Sequence, residues 1–164
     1  MKGSEDFRGR LLRLISENPG LHFRELQRRM ETAVGQLEYH LYQPDRDGKI
    51  SIKKDGRNVR YFSNESGTIS DRRIAFYMRN RFSRDLIVKS LSAGGEFVKV
   101  QNSGKVISLV NQMADEGVIE IQVRNSQTFV SLTERDVVMA FLRKYRNSFL
   151  DSLASAILGL IDEP

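Results

Sequence analysis

A helical pattern that stops at a glycine and gives way to an isoleucine-led hairpin occurs twice in this chain, with Gly48 and Gly117 69 residues apart. Self-similarity at a fixed spacing marks a duplicated supersecondary unit, so any fold must accommodate two related modules in series. In the first copy, Phe7, Leu11, Leu14 and Ile15 fall on one helix face between about Asp6 and Glu17, and Asn18-Pro19-Gly20 stops that helix. Leu21-His22 reads as a short extended link. Phe23 to Met30 gives a second helix with Leu26 and Met30 inward and Arg24, Arg28 and Arg29 outward. Thr32 is placed to cap a third helix over residues 33–43, with Val34, Leu37 and Leu41 as its buried stripe and Pro44 as its end.

Beyond the Asp45-Arg46-Asp47-Gly48 turn, Lys49 to Lys53 and Val59 to Ser63 alternate apolar and polar residues around an Asp55-Gly56 tip, which predicts a β-hairpin. The second copy is less faithful. A helical pattern from Asp71 to about Leu91, broken near Asn80 to Ser83 and with Ser70 as its cap, stops at Gly94-Gly95. A helix over Ser103 to Glu116 then leads to a second hairpin around Arg124-Asn125-Ser126-Gln127. Between Gly95 and Ser103 there is too little chain for a counterpart of the second helix, an omission that would leave a pocket, though no polar constellation in the sequence argues for a ligand. Ile107 and Leu109 stand where the first copy has Glu38 and His40, so this copy is expected to pack against protein rather than read a groove.

The last segment is read as one helix capped by Thr133 and kinked near Asn147-Ser148. Its apolar stripe, which includes Phe141, Leu142, Tyr145, Phe149, Leu153 and Ile157, is wider than one small domain needs to bury and is assigned to dimerisation.

Composition narrows the chemistry. Among 164 residues there is no cysteine and there are two histidines, His22 and His40, which removes disulfides, thiolate nucleophiles and the usual zinc sites. No metal and no cofactor are expected. There is no Gly-rich phosphate loop, no nucleophile-base-acid spacing and no carboxylate pair set beside a histidine, so an enzyme is not expected. No apolar run approaches the roughly 20 residues that span a bilayer, and the mixed polar start lacks the apolar core of a secretion signal; a cytoplasmic protein without membrane contact is expected.

The net charge of +5 is concentrated. Between Lys49 and Arg60 five cations face Asp55 alone. An α-helix fits the major groove, where the bases are told apart by their donor and acceptor patterns, and here the outward set Gly35, Gln36, Tyr39, His40 and Gln43 is assigned to base contact. Lys53, Lys54, Arg57, Asn58 and Arg60 on the hairpin, with Arg24, Arg28 and Thr32 before it, are assigned to the DNA backbone and minor groove. Arg72, Arg73, Arg79, Arg81 and Arg84 form a second cluster that either extends the phosphate track or keeps its helix soluble.

Three short helices followed by a basic hairpin form the order of a winged helix-turn-helix. The stretch from Asn18 to Leu26, then Leu37-Glu38-Tyr39-His40-Leu41, then Asp47-Gly48-Lys49-Ile50 with Gly56-Arg57 before Tyr61-Phe62, resembles the archaeal winged helix-turn-helix regulators related to the ArsR and MarR families. Pro44 departs from that pattern, standing where those proteins carry an apolar helix residue. The expected fold is α+β and mainly α: two tandem winged helix-turn-helix domains over residues 1–66 and 67–133, the second degenerate, plus a C-terminal dimerisation helix over 134–164. The expected function is a sequence-specific transcription regulator, a homodimer with helix 33–43 in the major groove and wing 49–63 on the backbone and minor groove. Its partners would be double-stranded DNA, a second copy and the transcription machinery. The alternative is a winged-helix subunit of a larger complex that docks proteins without sequence-specific DNA binding.

Overall fold

The computed structural model describes residues 6–162. Among them the elements run α1 (Phe7–Glu17), β1 (Leu21–His22), α2 (Phe23–Met30), α3 (Val34–Arg46), β2 (Ile50–Asp55), β3 (Asn58–Ser63), α4 (Ile69–Arg79), α5 (Arg81–Ser92), β4 (Val98–Val100), α6 (Gly104–Asp115), β5 (Ile119–Arg124), β6 (Gln127–Leu132), α7 (Arg135–Lys144) and α8 (Arg146–Ile161). The protein is therefore α+β and mainly helical, with the element order of a winged helix-turn-helix. Both sheets are antiparallel and share one topology, β1-β3-β2 and β4-β6-β5. The chain divides into two compact units, Met1–Phe76 and Tyr77–Pro164, with the boundary inside α4.

In the first unit, Leu11, Ile15, Leu26, Leu37, Ile50 and Tyr61 belong to one buried cluster, which ties the three helices to the hairpin. Asp6 caps α1 by accepting from the Arg8 N–H at 3.3 Å. At α2, His22 Nδ1 accepts from the Glu25 N–H (3.3 Å) while the His22 N–H donates to Glu25 Oε2 (3.0 Å). That reciprocal pair satisfies helix N–H groups that would otherwise have no partner, so His22 has a structural role. The turn into α3 is made at Glu31, held left-handed at φ 50.

Three details of α3 differ from expectation. Ala33, not Thr32, is the N-cap, and it offers no side-chain bond; the Thr32 hydroxyl instead donates to Gln36 Oε1 at 2.8 Å. Val34 is 48% exposed rather than buried. The helix also continues through Pro44 to Arg46, with Pro44 buried. A proline costs a helix one N–H bond and crowds the preceding turn; here the helix nonetheless runs on to Arg46, and the ring joins the buried stripe of Leu37 and Leu41. Gly48, at φ +71, then turns the chain into β2.

The hairpin pairs Ile50 with Ser63 through Asp55 with Asn58, leaving Gly56 (φ +61) and Arg57 as the two-residue tip. Tyr61, on the central strand, is 7% exposed, and burial raises the pKa of its phenol, with Asp45 and Glu38 adding repulsion to its anion. A group held protonated in the folded state contributes stability that is fully present below its unfolded pKa, near 10, and is lost as pH rises through its folded value. Stability is expected to fall above about pH 10 in the wild type and to fall less steeply in Tyr61→Phe, as read by denaturant unfolding across that range.

Ahead of α4 the cap is Thr68, not Ser70: the Thr68 hydroxyl accepts from the Asp71 N–H and the Thr68 N–H donates to the Asp71 carboxylate, both at 3.0 Å. In the second unit the expected break falls at Asn80, whose Oδ1 accepts from Phe82 N (3.0 Å) and Ser83 N (3.4 Å) to start α5. β4 leads to α6 with no helix between them. The second hairpin turns on Asn125 and Ser126, both at positive φ (49 and 60), as a two-residue turn of this hand requires.

The C-terminal segment is two helices rather than one, parted at Tyr145, and Glu134 rather than Thr133 stands at its N-cap. The dimerisation assignment needs correction for three of its six residues. Phe141, Tyr145 and Phe149 are 1%, 7% and 0% exposed, with the Phe141 ring 4.9 Å from Tyr145 and 5.4 Å from Phe149. Arg79 lies 3.9 Å over the Phe149 ring and donates to Ser148 O (3.2 Å) and Oγ (2.6 Å). These rings fill the second unit itself. Leu142 and Leu153 are half-buried, while Ile157, Leu158 and Ile161 are exposed.

Candidate nucleic-acid interface

The surface of α3 follows from its period. Leu37, Leu41 and Pro44 point inward, so 100° per residue places Gly35, Tyr39, Tyr42 and Arg46 along the opposite line, flanked by Gln36 on one side and Glu38 on the other. Tyr39 and Tyr42 are 69% and 64% exposed, and Gly35, Gln36 and Arg46 are exposed as well. Tyr42 and Arg46 were missed by sequence reasoning because Val34 was counted as buried and Pro44 as outside the helix. Restoring those two positions turns the outward face toward Tyr42 and Arg46.

Of the remaining expected base-contacting residues, His40 does not face out, and Gln43 faces out in part with its amide engaged by a neighbour. His40 is half-buried, its ring 4.6 Å from Phe7 and 5.1 Å from Tyr39, and its Nδ1 is buried without a hydrogen-bond partner among the described residues. Gln43 donates to Asp47 Oδ1 at 2.8 Å, tying off the end of the helix. Gln36 is available in part: its Oε1 accepts from Thr32, which leaves its amide N–H groups as donors toward solvent.

The cations divide in the same way. Arg24, Arg28, Lys49, Lys54 and Arg57 are exposed, as is Asn58. Arg24 and Arg28 line a concavity of about 600 Å³ with Phe23, Gln27, Thr32 and Val34, between α2 and the start of α3. Arg60, expected to project from the wing, is buried: its Nε donates to Asp55 Oδ2 at 2.6 Å and its Nη1 to Gly20 O at 2.9 Å. It sits on the central strand, paired on one side with Lys53 and on the other with His22, so its side chain is held over the sheet. Lys53 is half-buried with Nζ 4.1 Å over the Phe76 ring, a cation–π contact inside the unit rather than a projecting charge.

The Asp55–Arg60 pair fixes the shape of the hairpin tip. Asp55→Ala would leave a mostly buried guanidinium with one carbonyl partner, and is expected to destabilise the protein by about 1–3 kcal/mol in denaturant unfolding. The exposed wing cations would keep their charge in that variant. Of the second arginine cluster, Arg79 is committed to Phe149 and Ser148, Arg84 is largely covered, and Arg81, with 82% of its side chain exposed, projects.

Among the described residues no group of three or more His, Asp or Glu is placed to hold a metal, and no helix is long and apolar enough to cross a membrane. A compact unit of three helices closed by a hairpin, with a polar and aromatic helix face outward and cations before and after it, defines a helix-turn-helix protein. The sequence model of a family described as an N-terminal HTH domain matches residues 5–74, nearly the whole of the first unit and under half of the chain. Such domains bind DNA, and the match supports a DNA-binding, regulatory role. No curated protein and no solved structure matches the chain.

Proposed function

We propose that this protein is a sequence-specific DNA-binding transcription regulator, similar to the archaeal ArsR- and MarR-related regulators, that works as a homodimer of tandem winged-helix chains. The observation that carries the reading is the outward face of α3, where Gly35, Gln36, Tyr39, Tyr42 and Arg46 are all exposed on the helix that follows the turn at Glu31. Exposed cations precede it on α2 and follow it on the wing. At 1.5 Å per residue α3 is about 20 Å long, enough to lie in one stretch of major groove. Phosphate contacts from Arg24, Arg28, Lys49, Lys54 and Arg57 supply most of the affinity and make it salt-dependent. Arg46 is suited to guanine, the Gln36 amide donors to an acceptor on a base edge, and the Tyr39 and Tyr42 rings to thymine methyls.

The shared sheet order β1-β3-β2 and β4-β6-β5 supports the tandem arrangement. The exposed Ile157, Leu158 and Ile161 on α8 support self-association, and a two-fold dimer would read an inverted repeat.

Arg46→Ala is the test of base reading. It is expected to weaken binding to a selected site by about 1–3 kcal/mol and to relax preference at one base pair while leaving random-sequence affinity nearly unchanged. Equal losses on selected and random duplexes, measured by fluorescence anisotropy, would count against groove reading by this face.

A further inference from the structure

In the first unit, β1 leads straight into α2, which packs on α1, β1 and β3 and buries Leu26 completely. The second unit repeats the sheet and the flanking helices, but β4 runs into α6 through a short segment without a helix. Beside α5 and β4, the counterparts of two of the elements on which α2 packs, there is an open cavity of about 260 Å³, lined on its other sides by α6 and α8. Its apolar wall includes Leu86, Leu109 and Ala156, and Lys89, Lys99 and Gln101 line it as well. Asp85 is the acid in the lining, and Arg81 and Arg84 stand 4.0 and 3.8 Å from its carboxylate. The charge around this apolar space is therefore net positive.

From this arrangement we propose that the second unit binds a small organic acid, its carboxylate taken by the exposed Lys99 and its apolar body laid against Leu86, Leu109 and Ala156. Each part of the lining selects one property. The volume lies just under the roughly 300 Å³ at which typical small-molecule sites begin, so it suits a short chain or a single ring rather than a nucleotide or a long fatty acid. The leucines and the alanine offer no partner to hydroxyl groups, so the wall favours a ligand with an apolar body over a sugar. Lys99 discriminates against a neutral or cationic head on the same body. This site is built wholly from residues of the second unit, and its occupancy does not depend on the DNA-binding reading.

The test uses the full chain and three probes that share one tail, octanoate, octanol and octylamine, titrated by calorimetry and followed by methyl NMR. Octanoate is expected to bind saturably at one site per chain and about tenfold or more tighter than octanol, with no binding of octylamine. Lys99→Glu, a change at an exposed position that spares the fold, is expected to weaken octanoate by about tenfold or more. Ala156→Leu, which fills the cavity from α8, is expected to remove binding, with the NMR spectrum reporting that the chain is still folded. Absence of saturable octanoate binding would overturn the proposal. So would octanol binding as tightly as octanoate, or octanoate affinity unchanged in both variants.

Discussion

Replacing Lys49, Lys54 and Arg57 together by glutamate is expected to lower affinity for duplex DNA by on the order of a hundredfold or more at physiological salt. All three side chains are exposed, at the base of the hairpin and at its tip. Each phosphate contact contributes a counterion to the salt dependence, so the slope of log affinity against log salt is expected to fall by about two to three as well. The loss is expected on selected and random sequences alike, because phosphates carry no sequence. Stability is expected to change little: the lock on the hairpin is the Asp55–Arg60 pair and the Arg60 bond to Gly20 O, none of which the substitutions touch. The parallel change Lys53→Glu would act differently, since Lys53 stacks on Phe76 and its replacement removes a packing contact inside the unit. Anisotropy titrations at several salt concentrations read both quantities. An unchanged slope in the triple variant would remove the wing from the interface.

The second large effect concerns α7 and α8. Phe149→Ala is expected to destabilise the second unit by about 3–5 kcal/mol, since its ring is fully buried against Phe141 and beneath the Arg79 guanidinium. Leu158→Glu, at a position 60% exposed, is expected to leave stability within about 0.5 kcal/mol and, on the proposed homodimer, to shift the chain from dimer to monomer. Denaturant unfolding and sedimentation, run on both variants, separate a residue that fills its own unit from one that meets a second copy. The opposite pattern would put Phe149 at the subunit contact and return Leu158 to the solvent.

Much of the fold is written in local pattern. The stripes of α1, α2 and α6, the two hairpins and their glycine-led starts follow from periods and turn residues a few positions apart. What local pattern does not carry is the partner that arrives from far along the chain. Arg60 looks like a wing cation until Gly20, forty residues earlier, supplies its carbonyl, and β1, two residues long, makes β3 a central strand. Lys53 is turned by Phe76 and His40 by Phe7, contacts that no spacing rule connects. Phe141 and Phe149 belong to an apolar stripe whose width suggested a second copy, yet the break at Tyr145 folds part of that stripe back into the unit. Pro44 reads as a stop from its missing N–H and the turn residues after it, whereas the helix runs on to Arg46 with the ring buried.

The consequence for the site is specific. Sequence reading placed the third helix and the hairpin after it, but rotated that helix's outward face away from Tyr42 and Arg46 and credited it with His40. The exposed set Gly35, Gln36, Tyr39, Tyr42 and Arg46 is the one to vary in any study of specificity.

The most direct measurement is selection by the purified chain of fragments from its own organism's DNA at about physiological salt, followed by footprinting of the fragments retained. Only specific binding survives at that salt. A dimeric reader predicts enrichment of an inverted repeat, with two protected half-sites about one or two helical turns apart. Retention without any shared sequence, vanishing as salt rises, would contradict it.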